Sequence, residues 1–196
     1  SNEGKSTVAA YLAGIYAAQG HRVVLIDGDI RRGALHYALA QKRSPGLTDY
    51  LAGTVGFDEL LQEVEHRGFT LIGSGSRMQI GPELLGSAAM TDLLNTVRSR
   101  YSVVIVDTPP LSAGVDAYVL GTATGNMVMV VKTGSTDGSL AEAKLAVLDR
   151  LPVRVLGAVL NDVPASRLYR QYSYLSGYTA RDEQEADFEV IPAGGK

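Results

Sequence analysis

The chain opens Ser1-Asn2-Glu3-Gly4-Lys5-Ser6-Thr7, the second half of a phosphate-cradling pattern that reads Gly, four residues, Gly-Lys-[Ser/Thr]. At the start of a helix, backbone N–H groups face an anion. Lys5 would reach the β- and γ-phosphates of a nucleotide, and the Ser6 hydroxyl would bind Mg²⁺. Gly-Lys-Ser is also the start of many ordinary capped helices with a surface lysine, so it decides little alone. Two carboxylate motifs add to it. Val23-Val24-Leu25-Ile26-Asp27-Gly28-Asp29-Ile30-Arg31-Arg32 and Val103-Val104-Ile105-Val106-Asp107-Thr108-Pro109-Pro110 each end an apolar run in aspartate. A carboxylate at the end of a buried strand is costly unless it has a partner. Mg²⁺ beside a phosphate loop is such a partner, held directly or through its waters. For a lone aspartate, loop capping would be the better account; three of them behind Gly-Lys-Ser-Thr favour the metal.

The elements that must position these groups follow from hydrophobic periodicity. A helix starts near Lys5, with Val8, Ala9, Leu12, Ile15 and Tyr16 at helical spacing, and Gly20 fits its end. Residues 22–26, 69–72, 103–106, 127–131 and 153–160 read as strands, and Ala34 to Val64 as short helices broken at Pro45-Gly46. Glu83 to Arg100 reads as a helix interrupted near Gly86, and Leu140 to Leu151 as an amphipathic helix. Strands apolar on both faces, alternating with helices, predict an α/β fold with a mostly parallel sheet flanked by helices. Ligands of such sheets lie beyond the carboxyl ends of the strands, which places the chemistry after Ile26, Val106 and Leu160. The first glycine of the phosphate pattern, and the strand that feeds it, would precede Ser1. The expectation is therefore an N-terminally truncated domain.

Composition narrows the classes. With 196 residues, 45% of them hydrophobic, the chain can build one substantial core. Lys plus Arg number 18 against 21 Asp plus Glu, a net charge of -3, which argues against a nucleic-acid partner. The chain has no cysteine, so thiolate metal sites, iron–sulfur ligation and a cysteine nucleophile are excluded. No apolar run approaches the ~20 residues of a membrane span, and no signal peptide is present, so a soluble chain is expected. His21, His36 and His66 lack ligand spacing and read as surface or helix-end residues. Tyr11, Tyr16, Tyr101 and Tyr118 read as packing residues.

Together, Gly4-Lys5-Ser6, Asp27-Gly28-Asp29-Ile30-Arg31 and Asp107-Thr108-Pro109-Pro110 resemble the Walker A, A′ and B motifs of the bacterial tyrosine kinases of exopolysaccharide and capsule export. Residues 46–53, Glu83-Leu84-Leu85 and Val155 to Asn161 are similar to that family too, and the resemblance covers residues 1 to about 178. It implies a P-loop NTPase fold of the MinD/ParA type, ATP and Mg²⁺ as cofactors, and tyrosine autophosphorylation. By position, Glu3, Gly4, Lys5, Ser6 and Thr7 would hold the phosphates. Ser6, Asp29 and Asp107 would hold the metal, with Lys5, Asp27, Asp29 and Asp107 as the catalytic set. Asp27 is the implied base for the tyrosine hydroxyl. Asn161 matches the position that recognises the base of the nucleotide, although a turn residue before Asp162 and Pro164 reads nearly as well. A membrane activator, fused or separate, a homo-oligomer, and a cytoplasmic place at the inner face of the plasma membrane are implied in the same way.

The division expected is a P-loop domain over 1–163 and a flexible tail over 164–196. Tyr169, Tyr172, Tyr174 and Tyr178 lie within ten residues of a chain with 10 tyrosines in all. Arginines, serines and a glutamine interleave them, so they cannot form a core. In the resembling family such a cluster is the phosphorylated substrate; a linker or a docking tail is the plainer account. The alternative to a kinase is a partitioning or positioning ATPase of the same superfamily, a switch that binds a protein partner. Its distinguishing lysine would precede Ser1, while Asp29-Ile30-Arg31 and the tyrosine tail stand against it.

Overall fold

The computed structural model describes residues 3–78, 82–134 and 138–163. The chain divides into two units, Ser1–Asp162 and Val163–Lys196, and the tail tyrosines lie outside the described residues. The helices are α1 (Lys5–Ala18), α2 (Leu35–Ala38), α3 (Leu47–Leu51), α4 (Pro82–Leu85), α5 (Ala88–Arg100), α6 (Asp116–Thr124) and α7 (Gly138–Leu148). The strands are β1 (Val23–Asp27), β2 (Leu61–Val64), β3 (Phe69–Ile72), β4 (Val103–Asp107), β5 (Asn126–Lys132) and β6 (Arg154–Asn161). One sheet has the order β2-β3-β1-β4 and a second pairs β5 with β6. Every pairing is parallel except β2 with β3.

Alternation along β1 builds two cores. Val24 and Ile26 point into one cluster with Leu47, Leu60, Leu93, Leu94, Val97 and Leu120. Val23 and Leu25 point to the other side, among Ala9, Ala10, Ala13, Leu35, Leu39 and Phe69. Successive strand residues face opposite sides of a sheet, so a strand apolar at every position is one covered on both faces. The buried face of α1 is Ala9, Ala10 and Ala13, small side chains that let the helix lie close on β1 and β4. The helix ends as anticipated: Gly20 N–H donates to Ala17 O (2.9 Å) and His21 N–H to Tyr16 O (3.1 Å). That is a Schellman stop, and Gly20 supplies the left-handed φ of 85° it needs. In α5, Met90, Leu93, Leu94 and Val97 are buried at helical spacing. Its N-cap Ser87 accepts from Met90 N–H.

Several expectations need correction. Leu61–Val64, inside the stretch read as short helices, is an edge strand because it pairs antiparallel with β3. α6 was not anticipated. β4 is half-buried along Val103–Val106, and β5 and β6 mix exposed and half-buried positions with none fully buried, so only β1 and β3 are buried throughout. Tyr11 and Tyr16 are 56% and 39% exposed and are surface residues rather than packing ones. His36 does sit at a helix end, but it is buried at 6% exposure, with its ring against Tyr37 (4.0 Å between centroids). Burial and the nearby Arg43 charge hold its pKa down.

Candidate functional site

Parallel register brings the two strand-end carboxylates together: Val23 to Asp27 stand opposite Val103 to Asp107, residue for residue. Gly28 N–H continues the ladder onto Asp107 O at 2.9 Å. A Cβ at Gly28 would lie 2.7 Å from that same oxygen and 2.8 Å from the Leu120 side chain, so glycine is required for the approach. Asp27 is fully buried. Its Oδ2 accepts from Leu35 N–H at 3.3 Å, and its Oδ1 has no partner. Burial, then the Asp107 charge, pushes its carboxyl up to about 7. Burial also raises Asp107, against the opposing hydrogen bond from Ser6.

The phosphate loop meets this pair directly. Ser6 Oγ donates to Asp107 Oδ2 at 2.5 Å across 101 positions. Gly4 precedes α1 with φ 86°, a left-handed conformation open to glycine. A Cβ there would also strike the Asn161 side-chain amide. Asn161, at the end of β6, donates from Nδ2 to Glu3 O at 2.8 Å, so the last strand buttresses the loop. Lys5 Nζ pairs with Glu3 Oε2 at 2.6 Å, and that hydrogen bond lowers the Glu3 pKa. Asp29 is half-buried, with Oδ1 accepting from Arg32 N–H at 2.8 Å.

A cavity of about 820 Å³ joins most of these groups, with Glu3 to Thr7, Asp29 and Thr108 to Pro110 among its walls. Of the expected site residues, Glu3, Gly4, Lys5, Ser6, Thr7 and Asp29 line it. Asp27 and Asp107 lie buried at the ends of β1 and β4, and Asn161 touches the loop through Glu3 and Gly4. Tyr169, Tyr172, Tyr174 and Tyr178 fall outside the described residues. Among the described residues no three His, Cys, Asp or Glu side chains converge into a ready cation cage. The donors present are a hydroxyl, two carboxylates and the orphaned Asp27 oxygen. Hard oxygens in small number suit Mg²⁺, which keeps several waters and shares substrate phosphates.

Four contributors had weak sequence signals. Arg31 Nε binds Asp116 Oδ2 at 2.8 Å, 85 positions apart, which ties the Asp29 loop to the start of α6. Asp116 is buried, and its second oxygen has no partner. A Cβ on Gly33 would come within 2.5 and 2.7 Å of the two Asp27 carboxylate oxygens, so Gly33 keeps the loop folded over that acid. Leu35 offers only its backbone.

Comparison with known proteins agrees with this geometry. Residues 1–176 match the CobQ/CobB/MinD/ParA nucleotide binding domain. Over 95% of the chain it is 36% identical to EpsB of Ralstonia nicotianae, a protein assigned as a tyrosine-protein kinase, of which it spans 26%. Tyrosine-protein kinase YwqD of Bacillus subtilis is 34% identical over 88% of the chain, which spans 72% of YwqD. The kinase domain of the Escherichia coli tyrosine kinase ETK superposes with a TM-score of 0.80 at 32% identity, covering 84% of this chain and 66% of that one.

Proposed function

The chain belongs to the CobQ/CobB/MinD/ParA nucleotide-binding family and, within it, to the bacterial tyrosine kinases, and from that premise we propose that it transfers the γ-phosphoryl group of ATP to tyrosine. The observation that carries this reading is the buried Asp27–Asp107 pair beside Ser6, one oxygen of which is free to take a proton. A free tyrosine has a pKa of about 10, so its hydroxyl needs a base to become a nucleophile at neutral pH. Asp27, with its carboxyl near 7, has the affinity for that proton that efficient general base catalysis requires. Asp27 Oδ1 accepts the proton as the tyrosine oxygen bonds to the γ-phosphorus. The bond to the bridging oxygen breaks, and ADP leaves with that electron pair. Lys5 exchanges Glu3 for the phosphates, and the first amides of α1 orient them. Ser6, Asp29 and Asp107 would hold Mg²⁺, which when bound would supply charge neutralisation to the phosphates.

The acceptors we assign are Tyr169, Tyr172, Tyr174 and Tyr178, which lie outside the described residues. A homo-oligomer, and a membrane activator that keeps the domain at the inner face of the plasma membrane in exopolysaccharide or capsule production, complete the reading. What supports that context is the set of relatives. Among the described residues no helix is long and apolar enough to cross a membrane. Mass spectrometry after incubation with Mg·ATP and activator tests the reaction. Phosphate is expected on the tail tyrosines and is expected to vanish in Asp27→Asn. Free phosphate with an unmodified tail would instead identify a switch ATPase.

A further inference from the structure

Beyond the hydrogen bond from Gly28 to Asp107 the β1–β4 ladder ends, and Asp29 stands on a loop that no strand holds. Two arginines anchor that loop, one from each side of β1. From the β3 side, Arg43 donates through Nη2 to Ile30 O at 3.2 Å and through Nε to Gly75 O at 2.9 Å. From the β4 side, the loop's own Arg31 reaches Asp116 at 2.8 Å. Only the second anchor is an ion pair, and its partners are unequally placed. The Asp116 side chain is 3% exposed and that of Arg31 53%. Arg31 lines the same cavity as Asp29, two positions further along the loop. The charges of Asp29 and Glu83, after that of Asp116, act on its guanidinium and raise its pKa.

A cation so close to Asp29 is a rival for the metal. Asp29 accepts a hydrogen bond on Oδ1 from Arg32 N–H, and the rest of its carboxylate is available to Mg²⁺. A guanidinium can grip a carboxylate through paired N–H donors, and one that closed on Asp29 would take the oxygens the metal needs. Asp116 offers Arg31 the better attachment. It is a buried carboxylate whose other oxygen, Oδ1, has no partner, and opposite charges attract more strongly where water is excluded. We propose that Asp116 is a positioning residue that holds Arg31 away from Asp29 and so keeps Asp29 open to Mg²⁺. The inference rests on the metal and nucleotide part of the kinase reading and not on the choice of tyrosine. It differs from a plain tether between the loop and α6. With both charges removed, the loop still has Arg43 on Ile30 O and Gly33 N–H on Asp29 O at 2.5 Å. It therefore stays placed while the rival cation is gone.

Calorimetry on the full chain measures ADP affinity with excess Mg²⁺ and again in EDTA, and the ratio of the two is what the metal adds. Asp116→Asn is expected to cut that ratio at least fivefold, while affinity in EDTA changes less than twofold. Asp116→Ser, smaller and likewise neutral, repeats the test should the amide not fit. The double variant R31Q/D116N is expected to recover the ratio to within twofold of the unaltered chain, a rescue that neither a lost tether nor a damaged fold would give. Arg31→Gln alone leaves Asp116 buried without its counter-charge, so it is expected to lower the melting temperature yet keep the ratio. An unchanged ratio in the Asp116 variants, or a double variant as weak as D116N, overturns the proposal. ADP binding that Mg²⁺ does not improve in the unaltered chain overturns it together with the metal assignment. The expected ratios in a chain that phosphorylates no tyrosine remove the kinase and leave the role of Asp116.

Discussion

Asp27 carries an acid–base property that can be read without any substrate. Its carboxyl is displaced from an ordinary 3.8 to about 7, by burial first and by Asp107 second. The folded chain then holds a proton between about pH 4 and 7 that the unfolded chain has released. The unfolded state binds fewer protons there, so stability is greatest below pH 4 as far as this group is concerned and falls as pH rises through 7. At 1.36 kcal/mol per pH unit the displacement amounts to on the order of 4 kcal/mol. Urea denaturation of the nucleotide-free chain at pH 5 and pH 8 should show the loss, and Asp27→Asn should flatten it; equal slopes in both proteins would remove the assignment. Lys5 makes a separate prediction. It is the cation at the loop, now turned onto Glu3, and Lys5→Met removes the counter-charge for the phosphates. Calorimetry should find ATP affinity reduced at least tenfold, and an unchanged affinity would sink the phosphate-loop assignment.

At the scale of elements, α5 holds one face of the sheet. Leu93 is fully buried in the core it shares with Val24 and Ile26, so Leu93→Ala should cost about 2–5 kcal/mol. Thermal melts with and without ATP would show the loss in both states, because no residue of α5 lines the cavity that holds the phosphate loop. What was legible beforehand was local. An apolar run ending in aspartate announces a strand that delivers a carboxylate, and β1 and β4 do so. Lys5 to Gly20 contains a complete helix with its own stop. What stayed hidden depends on distant partners. Leu61–Val64 is a strand only because β3 lies beside it. α6 has a short, mixed pattern without a side-chain cap, and its start is fixed by Arg31 gripping Asp116. Continuous apolar runs in β5 and β6 suggested burial, yet coverage depends on which elements pack above and below, which no run of residues states.

The whole molecule carries a net charge of -3, and four phosphotyrosines would add roughly -6 to -8 at pH 7. Tails clustered in an oligomer would then repel across about a Debye length, ~8 Å at physiological salt. Light scattering should give a lower mass for the phosphorylated chain at low salt, with the gap closing as salt is raised; identical masses at low salt would separate tail charge from assembly. One contact bears on the molecule in a further way. The Asn161 amide reaches Glu3 across 158 positions, joining the start of the described chain to the end of its last strand through a side chain rather than a strand ladder. A single hydrogen bond contributes about 1 kcal/mol net, far less than the buried sheet behind it. Tension applied through residues on either side of the domain would load this joint before it strained β1 or β3. The nucleotide site is thus also the mechanical seam of the molecule, the place where a tug on the polypeptide would be felt first.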